Sequence, residues 1–140
     1  MSIFEASPRS DRMLSVLRIV AGIVFMSAGT TIVFGLPASR VAMPPFRFAS
    51  EMGIGGLLEV WGGLAIVLGL FTRPVAFVLS GEMAVAYFQF HFPQSPFPTV
   101  NNGTPAVLYC FLYLYLCFAG GGAWSLDAAI ARARRTSTAS

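Results

Sequence analysis

Four apolar stretches, about 13–36, 54–71, 74–92 and 105–119, take up most of this 140-residue chain and leave it little choice of environment. Each approaches the roughly 20 residues that a ~30 Å hydrocarbon layer demands of a helix, and the last is the shortest. With 56% hydrophobic and 11% charged residues, the chain has too few polar groups to clothe a water-soluble domain. The expected fold is therefore all-α: an integral membrane antiparallel bundle of four transmembrane helices, both termini cytoplasmic. It forms one domain over residues 1–140, with polar tails at 1–12 and 125–140.

The charges that exist mark edges. All nine basic residues are arginines, placed at segment boundaries and not in a stripe, so they suit membrane-edge anchoring and not nucleic acid. With both ends inside, Arg9, Arg12, Arg18, Arg73, Arg132, Arg134 and Arg135 are cytoplasmic and Arg40 and Arg47 external, in keeping with the positive-inside rule. The first apolar run is too long for a signal peptide and MSAGTT lacks a cleavage signature, so it is kept as a span. Thr72-Arg73-Pro74 is expected as the tight turn between the second and third helices, Thr104-Pro105 as N-cap and first residue of the fourth, and Gly120-Gly121-Gly122 as its stop. Ser125 and Asp127 open a short amphipathic tail helix, with Trp124 at headgroup level. The first long connection is expected to turn at the interface around Phe46 and Phe48.

Intramembrane polar residues are the candidates for function. Counted from the Thr72–Pro74 turn, Glu59 lies roughly 20 Å deep and Glu82 roughly 13 Å, so the two are expected at different levels. Glu82, Ala86 and Gln89 form one inward stripe, with Gln89 at the depth of Glu59. Gly55, Glu59, Gly62, Ile66 and Gly69 share a face on which glycines admit a neighbouring backbone. Arg18 is the counter-ion available to Glu82, or else snorkels to the inner surface. Tyr109 and Tyr113 bring phenols towards Glu59, which, with no cation at its depth, is expected to be protonated and to donate a hydrogen bond. These six side chains, Glu59, Glu82, Gln89, Arg18, Tyr109 and Tyr113, are candidates for a substrate or proton pathway. A purely structural clasp that fixes helix register stands beside that reading.

Little points to chemistry by the chain alone. Cys110 and Cys117, seven residues apart on one helix, are roughly 10 Å apart and too distant for a disulfide. His91 faces away from Glu82 and is a headgroup-level residue, and no metal site is expected. The run LYCFLYLYLCF reads as packing, and the glycine pairs Gly55-Gly56 and Gly62-Gly63 as helix contacts rather than a phosphate loop.

Four segments in order, LRIVAGIVFMSAG, GIGGLLEVWGGLAIVLGLFTRP with Glu59, GEMAVAYFQFHFP with Glu82, and PAVLYCFLYLYLCFAGGGAWSLD, resemble the DoxX family of small four-helix bacterial membrane proteins. The resemblance implies a multi-pass bundle in the bacterial cytoplasmic (inner) membrane and, as in some members, association with quinone-linked or thiosulfate-linked oxidoreductases. Many relatives have a lysine in the first helix and a glutamate before the fourth; here Ile32 and Thr104 stand there, which removes an outer ion pair. An accessory or anchoring subunit of a quinone-linked membrane oxidoreductase assembly is the leading expectation. It would have no intrinsic cofactor, a quinone as candidate ligand, the lipid bilayer and a membrane redox protein as partners, and a homo-oligomer as an option. A small oligomeric transporter or proton-coupled permease using the glutamates is the alternative.

Overall fold

The computed structural model describes residues 7–40, 42 and 44–138. Five helices follow in order: α1 (Pro8–Phe34), α2 (Glu51–Leu68), α3 (Thr72–Ala86, continued by one π-helical stretch, Tyr87–His91), α4 (Thr104–Ala119) and α5 (Leu126–Ser137). No strand occurs among the described residues. The all-α expectation holds, and α1 and α2 are each long and apolar enough to cross a membrane.

Local chemistry sets the boundaries. Ser7, Ser50 and Ser125 each accept a hydrogen bond from a backbone N–H of the first turn of α1, α2 and α5. Gly35 and Gly69 close α1 and α2 in the left-handed conformation that glycine adopts without penalty. The turn into α3 occupies Gly69–Phe71, upstream of the expected Thr72–Pro74, because α3 already begins at Thr72. Its N-terminus is capped from a distant part of the chain: Asp127 accepts from the N–H groups of Phe71 and Thr72, both at 2.8 Å. Gly103, and not Thr104, is the N-cap of α4, and Pro105 lies in its first turn. Gly120 ends α4, as the glycine triplet implied. Phe46 and Phe48 are exposed, with a turn at Phe48 and Ala49; Val41 and Met43 of the same connection lie outside the described residues.

Packing follows the glycines. A Cβ on Gly29 of α1 would meet Gly56 and Val60 of α2, and one on Gly22 would meet Gly63 and Val67, so α1 and α2 run antiparallel at backbone contact. Gly62 admits Leu79 of α3, and Ser80 of α3 donates to the Cys110 carbonyl of α4 at 2.8 Å. The core gathers Phe25, Ile66, Leu79, Met83, Tyr113 and Leu116 from four helices. Large apolar side chains also cover the outside, with Trp61 65% and Phe118 75% exposed, while Arg18 is 0% exposed. Apolar groups outward and a guanidinium inward invert the arrangement that water favours.

At the end of the molecule where α2 turns into α3, a polar knot ties both to α1 and α5. Arg18 donates to the carbonyls of Gly121 (2.7 Å), Val67 (2.6 Å), Trp124 (2.9 Å) and Ile66. Ser15 accepts from the N–H of Trp124 at 3.1 Å. Replacing Asp127 by Ala removes both acceptors at the start of α3. The expected loss is about 1–2 kcal/mol, the upper range for a cap, seen as a lower melting temperature in mild detergent; an unchanged melt would show that α3 needs no such cap.

Candidate functional site

Glu59 and Glu82 meet on the α2–α3 hairpin. Because α2 ends at Leu68 and α3 begins at Thr72, both glutamates stand about 14–15 Å from the turn, at one level. This corrects the expected difference in depth, which followed from placing the turn too late in the chain. A Cβ added to Gly29 would lie 2.7 Å from the Glu59 Cβ, so the stem of Glu59 passes over α1 where α1 has no side chain. A Cβ on Gly55 would lie 3.3 Å from the Glu82 Oε1, so the Glu82 carboxyl crosses to α2 one turn from Glu59. The two groups are close enough for their charges to interact.

Tyr113 completes the cluster from α4. It is 0% exposed, lies edge-on to Phe25 with ring centroids 4.9 Å apart, stacks on Tyr109 at 5.7 Å, and interacts electrostatically with both glutamates. Tyr109 is half-buried and feels the charge of Glu59. The Glu59 Oε2, the Glu82 Oε2 and the Tyr113 hydroxyl are all buried, and none has a hydrogen-bond partner among the described residues. The hydrogen bond expected between Glu59 and a phenol is therefore not formed at Oε2, although the side chains are brought together.

Two other candidates are placed elsewhere. Gln89 is exposed and donates to the Glu51 Oε1 at 3.3 Å, beside the start of α2. The π-helical stretch carries an extra residue per turn and rotates Gln89 off the stripe that runs through Glu82. Arg18 neither pairs with Glu82 nor snorkels: its donors go to four carbonyls of the knot, and its electrostatic partner is Asp127. His91 is held by the Asn101 carbonyl at 2.9 Å and stacks on Tyr87. No group of three His, Cys, Asp or Glu that could hold a metal gathers among the described residues.

Two cavities flank these groups. One of about 490 Å³ opens at the knot, bordered by Asp11, Thr72, Arg73, Gly120–Gly122 and Asp127. The other, about 410 Å³, is an apolar cleft between α1 and α4, lined by Leu17, Val20, Val24, Leu108, Leu112 and the polar-tipped Tyr109. Through the Tyr109–Tyr113 stack this cleft adjoins the carboxyl pair. The role of Asp127 was not foreseen from sequence. Ser125-Leu126-Asp127 gave a helix start but not the partner helix that Asp127 caps.

The described residues combine large apolar side chains on the outside, two helices of membrane-crossing length and buried charged and polar groups such as Arg18, Glu59 and Glu82 within an apolar core, the pattern of a helical membrane protein. The chain belongs to the DoxX family, whose profile matches residues 13–92. It is 39% identical over 117 residues to an uncharacterized protein of Haemophilus influenzae, covering 81% of this chain and 87% of that one. It is 30% identical over 122 residues to the inner membrane protein YqjF of Escherichia coli, covering 80% and 87%. No solved structure matches.

Proposed function

We propose that the chain is a multi-pass protein of the bacterial inner membrane, with α1 to α4 all crossing and both ends cytoplasmic. In this reading it acts as an accessory or anchoring subunit of a quinone-linked oxidoreductase assembly. The observation that carries the reading is the apolar cleft between α1 and α4, with Tyr109 as its one phenol and the carboxyl pair behind it. Such a lining fits an isoprenoid tail, with a hydroxyl available to a ring oxygen. The E. coli relative's name as an inner membrane protein supports the location. Thr72–His91 spans about 30 Å, enough for an upright crossing of the hydrocarbon layer, and α4 about 24 Å, enough for a locally thinned one. Arg12 stands near the start of α1, Arg73 at the start of α3 and Arg132, Arg134 and Arg135 on α5, whose starts meet at the knot, and the positive-inside rule makes that end cytoplasmic in this reading. Purification in mild detergent followed by mass spectrometry should return a quinone or a redox protein bound at near-stoichiometric yield. Leu108→Trp, which fills the cleft, should lower the quinone yield several-fold, and recovery of phospholipid alone would overturn the reading.

A small proton-coupled carrier is the second reading, favoured by the two buried carboxyl oxygens without partners. In proteoliposomes Glu82→Gln should then abolish proton-coupled flux, and unchanged flux would remove Glu82 from any such path.

A further inference from the structure

We infer that Glu59, Glu82 and Tyr113 form a binding site for one monovalent cation in the interior of the helix assembly. Three helices each supply one buried oxygen to a group of side chains that interact electrostatically: the Glu59 Oε2 from α2, the Glu82 Oε2 from α3 and the Tyr113 hydroxyl from α4. A carboxyl pair that served only as a clasp would be satisfied by bonding one carboxyl to the other, or the phenol to either. None of these three atoms does so. Tyr113 is an independent witness to a guest. It is 0% exposed, interacts with the charges of both glutamates, and has an unpartnered hydroxyl.

Charge balance favours the same guest. Two carboxyl groups whose charges interact have no positive side chain among the described residues to offset them, since Arg18 is committed to the four carbonyls of the knot and to Asp127. Tyr109, the remaining titratable group beside them, adds another phenol and no positive charge. Hard oxygen donors without an imidazole or a thiolate are the ligands that alkali cations take. One ion of single charge with one proton left on the pair makes the site neutral, as burial requires. Gly55 leaves room for this approach: a Cβ there would lie 3.3 Å from the Glu82 Oε1, tight enough that the carboxyl would have to shift by a few tenths of an ångström.

The inference rests on the membrane placement proposed above and not on the quinone reading. Its test is infrared difference spectroscopy of the full chain in lipid vesicles, exchanging choline chloride for NaCl or KCl at constant pH and ionic strength. Entry of the ion should convert protonated carboxyl absorbance into carboxylate absorbance in a saturable manner, with the Na⁺ and K⁺ arms identifying which ion is preferred. The double variant Glu59→Gln/Glu82→Gln should abolish the signal. Tyr113→Phe removes one oxygen and should raise the half-saturating concentration about five- to tenfold; a matching thermal melt separates this from misfolding. A carboxyl band that moves with pH but with neither cation overturns the inference and leaves a proton-only pair. The membrane placement itself stands or falls separately, on quenching of tryptophan by brominated lipid.

Discussion

Arg18→Met is expected to lose about 3–5 kcal/mol of stability and to be recovered largely unfolded or degraded. The side chain is fully buried, and its guanidinium bonds to the last turn of α2 at Ile66 and Val67 and to the α4–α5 connection at Gly121 and Trp124. Removing it strips four carbonyls in two segments of a donor and leaves Asp127 without its positive neighbour. Methionine refills the volume, so the loss reports on polar bonding rather than on a cavity. Arg18→Lys keeps the charge but lacks the planar fork that reaches several acceptors at once, and should restore only part of the stability. Thermal unfolding in mild detergent checks both. A methionine variant as stable as the parent would mean that the knot does not hold the helices together.

Gly29→Ala is expected to destabilise by about 1–3 kcal/mol although alanine is the better helix former. The new methyl would sit 2.7 Å from the Gly56 oxygen, the Val60 nitrogen and the Glu59 Cβ. Two of those atoms are backbone, so relief requires α1 and α2 to move apart and to carry the Glu59 stem with them. Intrinsic propensity returns at most about 1 kcal/mol, which the clash outweighs. Gly81→Ala is the control: nothing lies within 4 Å of a Cβ there, so the same chemical change should stabilise by a few tenths to about 1 kcal/mol. Opposite signs for the pair, read as melting temperatures, are the expected result. Equal gains would show that α1 and α2 are not at backbone contact.

How far this architecture is legible in sequence depends on whether each cue is local. Apolar runs, the glycine stop at Gly120–Gly122 and the Ser125 cap act over a few residues, and they place α1, α2, α4 and α5 within a few positions. The glycine faces of α2 are similarly readable, since Gly55 and Gly62 do meet α3. The misplacements have non-local causes. Thr72 enters α3 because Asp127, more than fifty residues away, caps that helix, and this shift brings Glu59 and Glu82 to one level. Gln89 leaves the Glu82 stripe because Tyr87–His91 winds as a π-helix, where a regular helical period does not hold. Arg18 was assigned to Glu82 by depth along one helix, whereas the acceptors it finds are backbone carbonyls that only the folded knot presents. The meeting of Tyr109 and Tyr113 with Glu59 was legible, because helical spacing and depth suffice to place long side chains on one interior side.

In a bilayer the outward apolar surface faces acyl chains while the buried polar groups close inward. Trp61, 65% exposed near the middle of α2, reports on this directly. In a Trp124→Phe background it is the sole tryptophan, and its fluorescence can be measured in vesicles of lipids brominated at different depths along the acyl chain. Strong quenching, greatest for bromines deep in the chain and absent for a water-soluble quencher, is the expected result. Quenching by the aqueous agent with no response to bromolipid would contradict the account.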